Sequence, residues 1–270
     1  MTNFFEFIQV LREVTNSQIK TNDFDQCLIT GPSYVIKQKR RKIKKAILTI
    51  DLNKTVLIEA LKSKVDLILV YNFENLEKIN LIDENLEKYK HIIENNILIY
   101  KIPESWTYSK GGLNETLTEI LKLEIEGVFQ IKIGKNFQPY GRICSPFKSQ
   151  IRYSLFLNMI SDKLGLKNFQ YLLVNDTDDI VKKCILLVGK KTQLNWLKRA
   201  KMKDIELFLG NGLDYSLARH AESLEINFID LTYNSIFLGL SRLSKVLLLK
   251  CPDVEFIDVR SPLPLFFFSR

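Results

Sequence analysis

The strongest constraint on the fold of this chain is an alternation. Short apolar, partly β-branched runs alternate with amphipathic stretches of helical period. In the first half the runs are "AILTID" (46–51), "VDLILVY" (65–71) and "ILIYKI" (97–102). Between and after them lie "KTVLIEALKSK", "LEKYKHIIENN" and "GGLNETLTEILK", the last with Leu113, Leu117, Ile120 and Leu121 on one face. The second half repeats the order. "CILLVG" (184–189), "IELFLG" (205–210), "INFIDL" (226–231) and "DVEFIDV" (253–259) are separated by the helical stretches "TQLNWLKRAKMK", "DYSLARHAESLE" and "FLGLSRLSKVLLLKC". Strands separated by helices pair mainly in parallel through right-handed crossovers. The expectation is therefore an α/β fold of two pseudo-symmetric lobes with mixed, mostly parallel sheets. Residues 1–125 form the first lobe and 152–270 the second, and the lobes make one compact unit. Residues 126–151, holding Gly127, Gly134, Pro139, Gly141 and Pro146, are expected as connecting strands and turns. "MTNFFEFIQVLREV" reads as an amphipathic helix, and the apolar run "PLPLFFFSR" is expected to pack in the core or against a partner.

No apolar run approaches the ~18 residues of a membrane span, so no membrane partner is expected. Cys27, Cys144, Cys184 and Cys251 lie far apart without a CxxC, which favours free thiols in a reducing, cytoplasmic compartment. The formal charge of +8 favours a polyanionic partner. An abundance of Asn, Ile and Lys fits an AT-rich genome and weakens any argument from total charge. The distribution says more. "KQKRRKIKK" supplies Lys37, Lys39, Arg40, Arg41, Lys42, Lys44 and Lys45. Three readings stand: a solvated loop, a nuclear-localisation signal, or a phosphate-binding patch. "GKKTQLNWLKRAKMK" supplies Lys190, Lys191, Lys198 and Arg199, with Trp196, Leu197 and Ala200 expected to face the core and leave the cations outside. The cations of both segments are the nucleic-acid-binding candidates.

The strand "VDLILVY" stops in "NFEN", a loop at a carboxyl strand end, where α/β proteins place ligands. Five signatures in order resemble one family: "NDFDQCLITG", "KKAILTIDLNKTVLIEALKSKVDLILVYNF", "NNILIYKIPESWTYSKGGLNETLTEILKL", "INFIDLTYNSIF" and "SPLPLF". They are similar to the NIF-three-like (YbgI/YqfO) family, often labelled GTP cyclohydrolase 1 type 2. The resemblance implies a pair of divalent metals held by His, Asp and Glu at strand ends. It places those ligands at Tyr71 and Asn72, at Pro103 and Thr107, and at Tyr233 and Phe237. Pro and Phe have no side-chain donor, and neutral Tyr, Asn and Thr are poor substitutes for imidazole and carboxylate. Asp51, Gly111, Gly112, Asn114 and Asp230 match the family and serve turns, caps and packing. A divergent carboxylate site of Asp51, Glu74, Glu104 and Asp230 is the competing reading. His91 and His220 fall within helical stretches, away from these positions. "LLVGKKT" lacks the first glycine of a phosphate loop and reads better as a strand end before a helix cap.

The expectation is thus a family member without catalytic residues, metal or cofactor. As a cytoplasmic protein it would bind RNA or a ribonucleoprotein, most specifically as a ribosome-associated regulatory or inhibitory factor of the dormancy type. A residual metal-dependent nucleotide hydrolase and a protein–protein scaffold in transcription or stress regulation are the alternatives. The resemblance implies a ring-shaped hexamer; without the metal site a monomer or dimer is expected.

Overall fold

The computed structural model describes residues 1–16, 27–72, 83–133, 136–146, 151–174 and 176–260. The chain begins with α1 (Phe4–Val14), β1 (Leu28–Thr30), α2 (Val35–Arg40), β2 (Lys45–Asp51), α3 (Lys54–Ser63), β3 (Leu67–Asn72), α4 (Asp83–Glu94) and β4 (Leu98–Lys101). It continues through α5 (Ser105–Tyr108), α6 (Leu113–Ile120), β5 (Leu123–Ile133), β6 (Asn136–Pro146), β7 (Ile151–Arg152), α7 (Tyr153–Leu164), β8 (Tyr171–Leu172) and β9 (Ile180–Val181). It closes with β10 (Cys184–Lys191), α8 (Leu194–Lys201), β11 (Leu207–Asn211), α9 (Tyr215–Ser223), β12 (Asn227–Asp230), α10 (Asn234–Lys250) and β13 (Glu255–Asp258). Among the described residues no helix is long and apolar enough to cross a membrane.

The first compact unit takes residues 1–106 and 240–260 of the described chain. Its sheet runs in the order β1-β4-β3-β2-β13. Pairing is parallel throughout except at the short edge strand β1. Ile47, Leu48, Ile68, Leu69 and Val70 are fully buried, as expected of parallel strands covered on both faces. α3 starts where the Asn53 side chain accepts from the Val56 N–H and stops at Lys64, which takes the left-handed conformation at φ 52°. α1 carries a capping box in which Asn3 and Glu6 satisfy each other's backbone N–H. Thr2 donates from its N–H and hydroxyl to Asp253, tying the N-terminus to the turn before β13.

The second unit takes residues 107–239. Its sheet runs β5-β6-β10-β11-β12-β8. β10, β11 and β12 are parallel; the hairpin β5–β6 and the edge strand β8 join antiparallel. One core face gathers Phe129, Tyr140, Ile185, Trp196, Phe208 and Phe228. Phe208 stacks on Phe228 at 5.6 Å and meets Phe129 edge-on at 6.2 Å. Two buried polar groups lock α6 to this sheet. The Asn114 amide donates to the carbonyls of Thr107 (2.9 Å) and Tyr140 (3.0 Å) and accepts from the Val188 N–H (2.9 Å). The Arg142 guanidinium bonds Glu115 at 3.0 Å and donates to the carbonyls of Tyr108, Pro139 and Gly141.

These units do not follow the expected lobes of 1–125, 126–151 and 152–270. The physical reason is pairing. β13 lies parallel to β2, with Phe256 opposite Ala46 and Ile257 opposite Ile47, so the C-terminal strand completes the first unit's sheet. The hairpin expected as a connector is an integral edge of the second unit's sheet. The basic run 37–45, expected as a loop among other readings, is half helical, because α2 extends to Arg40. "SPLPLF" and the run "PLPLFFFSR", with residues 22–26 of "NDFDQCLITG", lie outside the described residues.

Candidate functional site

The strand ends named by the family resemblance come first. Tyr71 is buried at the end of β3, its ring edge-on to Trp106 at 5.7 Å. Asn72 is exposed and sits opposite Asp51 in the β2–β3 ladder, with its amide hydrogen-bonded to the Asp51 carboxylate. Partial desolvation pushes the Asp51 carboxyl above its ordinary range, and the Asn72 bond pulls the other way. Pro103 is buried, its carbonyl accepting from the Trp106 N–H at 3.0 Å. Thr107 is fully buried, with its carbonyl held by Asn114. Tyr233 is exposed beside the start of α10, and Phe237 is half-buried within that helix.

This donor set does not fit a pair of hard divalent ions. Tyr71 is engaged in packing, Pro103 and Phe237 offer no donor, and Thr107 is enclosed. Asp230 is committed to backbone: its carboxylate accepts from the N–H groups of Gly212, Leu213 and Thr232 at 2.8–2.9 Å. It braces the β11–α9 loop, the turn role expected of it. Among the described residues no group of three or more His, Cys, Asp or Glu gathers to hold a metal. Glu74 lies outside the described residues. His91 is half-buried on α4 and His220 exposed on α9, His220 hydrogen-bonded to the Ser216 carbonyl.

The two basic segments come out differently from one another. In 37–45, Arg41 lies 3.6 Å from Asp66 and bonds the Asn96 carbonyl, and Lys45 pairs with Glu255 at 2.9 Å. Lys42 reaches the Met1 carbonyl, while Lys37 and Lys39 lie over the rings of Tyr34 and Phe5. Arg40 and Lys44 are exposed. In the second segment Lys191 is bound to Asp214 at 2.8 Å, which raises the amine and lowers the carboxyl from their ordinary ranges. Lys190 lies over the Tyr140 ring at 5.4 Å.

Lys198 and Arg199 do something else. α8 buries Trp196, Leu197 and Ala200 in the core, as its spacing predicts, and turns its cations toward the β5–β6 hairpin. There a groove of about 510 Å³ forms, and Lys132, Phe137, Lys198, Arg199, Met202 and Lys203 are among the residues that line it. The Arg199 guanidinium lies 4.8 Å from the Phe137 ring centre. Phe137 is 54% exposed and Met202 85%, so an aromatic ring and a thioether face solvent in the groove. Lys132, Lys198, Arg199 and Lys203 form no ion pair among the described residues, and the indole N–H of Trp196 and Nε of Arg199 have no protein acceptor there. Stacked ring and guanidinium accept the faces of bases, and the lysines accept phosphates. Sequence reasoning found Lys198 and Arg199 but missed Lys132, Phe137 and Met202. The available signal was the alternation in "FQIKIGKNFQPYGR", broken by Gly-Lys-Asn, a sequence pattern that marks a hairpin rather than a connector.

The model of the family described as Duf34/NIF3 (NGG1p interacting factor 3) matches residues 5–262. The chain belongs to the Duf34/NIF3 family. It is 25% identical over 258 residues to a "GTP cyclohydrolase 1 type 2 homolog" of Clostridium perfringens, covering 93% of this chain and 94% of that one. Among solved structures, a Bacillus cereus protein related to NIF3 superposes with a TM-score of 0.79 at 16% identity, covering 100% of this chain and 99% of that one. Reduced HcgD from Methanocaldococcus jannaschii superposes at 0.78 and 22% identity, covering 95% and 97%. These likenesses establish the Duf34/NIF3 fold, which is the mixed α/β architecture expected from the sequence.

Proposed function

We propose that this Duf34/NIF3 protein acts without catalysis, as an RNA- or ribonucleoprotein-binding factor, and that its most specific target is the ribosome. The observation that carries the reading is the groove between α8 and the β5–β6 hairpin. It combines four cations free of acidic partners among the described residues with an exposed Phe137–Arg199 stack. A site of that composition takes single-stranded nucleic acid with little sequence preference, through stacking and counterion release. The Clostridium perfringens relative carries a cyclohydrolase label. Support for a non-catalytic role here is the chemistry of Tyr71, Asn72, Pro103, Thr107, Tyr233 and Phe237, which offer no imidazole or carboxylate.

Binding of a fluorescently labelled single-stranded RNA, followed by anisotropy across a salt series, tests the reading. Wild type is expected to bind with an affinity that falls steeply as salt rises. K198E/R199E and F137A are each expected to weaken binding by roughly tenfold or more. Binding that ignores both variants would remove the groove from the account. A sucrose-gradient profile of native lysate, with and without ribonuclease, tests the ribosome as target: ribosomal co-migration that ribonuclease abolishes is expected. Metal analysis of protein purified without chelator tests the non-catalytic part; two equivalents of divalent metal per chain would favour a hydrolase instead.

A further inference from the structure

α2 exposes more than charge. Tyr34, Val35 and Ile36 stand consecutively at its start and are 71%, 47% and 68% exposed. The segment just before them, Gly31 and Pro32, lines a groove of about 330 Å³ with Arg41, Ile92, Asn96 and Ile93 of α4, the last 69% exposed. Lys37, Lys39 and Arg40 share the short helix α2, Lys42 and Lys44 follow it in the chain, and all five are exposed and make no ion pair among the described residues. No Asp or Glu occurs anywhere in residues 26–50. The Lys37 ammonium lies 5.8 Å from the Tyr34 ring centre and the Lys39 ammonium 5.2 Å from that of Phe5 on α1, so charge and exposed aromatic surface adjoin.

We propose that this face of the first unit docks on an anionic lipid surface, with Tyr34, Val35 and Ile36 entering the headgroup region and the five cations holding the acidic lipids. Two independent signals, a small apolar anchor and a basic cluster, are what reversible peripheral attachment needs. Phosphates of RNA would satisfy the cations but give Val35 and Ile36 nothing to bury against. A symmetric contact between two copies would bury the apolar tip but set its cations against their own image. Attachment of this kind needs no spanning helix. It is independent of the RNA reading, which rests on the groove beside α8.

Flotation of the full chain with vesicles tests it. Wild type is expected to float with phosphatidylcholine vesicles containing phosphatidylserine, and to stay behind with phosphatidylcholine alone. V35D/I36D, whose changes lie on exposed positions, and K39E/R40E are each expected to lower partitioning by roughly tenfold or more. F137A is expected to leave it unchanged. Thermal unfolding of each variant checks that the fold is intact. Failure of wild type to float with phosphatidylserine vesicles at low salt would overturn the proposal. So would V35D/I36D that floats like wild type, since the patch would then be a purely electrostatic polyanion site. A wild-type oligomer that V35D/I36D converts to monomer would assign the tip to self-association instead.

Discussion

Removing the guanidinium of Arg142 would strand the Glu115 carboxylate and several carbonyls that now share one buried cation. Arg142 is 4% exposed, and its partners come from α5, α6 and β6. Losing one member of such a buried pair costs about 3–5 kcal/mol. R142A is therefore expected to lower the unfolding free energy by that amount in denaturant titration, and an unchanged midpoint would show the network to be dispensable. Two thiols behave in the opposite sense. Cys144 and Cys184 face each other in the β6–β10 ladder, both fully buried. Burial pushes the Cys144 thiol up to about 12 and Cys184 well above its usual range. With a pKa of about 12, only roughly one Cys144 in ten thousand is thiolate at pH 8. Alkylation of native protein at that pH is expected to spare both, and mass mapping after a short pulse checks it. None of this was readable at residue level from the sequence. Arg142 looked like one more cation in a basic chain, because burial depends on which strands pack above it.

At the scale of elements, much of the architecture was legible because its causes are local. β2, β3 and β10 are near-continuous apolar runs, and the spacing of Trp196, Leu197 and Ala200 gives the buried face of α8. α2 was not legible. Its six residues, "VIKQKR", carry no apolar period, and the helix is held by Gln38, buried and donating to the Pro32 carbonyl at 2.9 Å, with Arg41 bonded to the Asn96 carbonyl and the buried Ile43 just after it. The groove was half legible for a similar reason. Its cations on α8 follow from helical spacing, but Phe137 reaches Arg199 only because the hairpin register places it there. Close packing inside the second sheet makes its own prediction. A Cβ added at Gly210 would lie 2.5 Å from the Thr192 hydroxyl and 3.0 Å from the rings of Phe208 and Phe228. G210A is expected to destabilise by about 1–3 kcal/mol through overpacking, seen as a lowered thermal midpoint. At the opposite end of the chain, N3A is expected to cost about 1 kcal/mol by removing the capping box of α1, read from the same thermal midpoint.

The molecule as a whole departs from the expected pair of lobes because one strand returns. No local signal names the partner of "VEFID", since its mate lies about two hundred residues earlier. Deleting residues 251–270 is expected to leave the amides of β11 and β12 protected in hydrogen exchange while those of β2 become labile. Equal protection of both sheets in the truncated chain would show the first unit to be self-sufficient. The same pairing sets an order of events during synthesis. Residues 107–239 emerge as one continuous stretch and hold every described strand of their sheet. The first unit, although made earlier, must wait with the edge of β2 open until β13 leaves the exit tunnel. An unpaired parallel edge bearing Ala46, Ile47 and Leu48 is a template for other chains. For much of its translation, then, the nascent chain carries its greatest hazard of mispairing in the half that was made first.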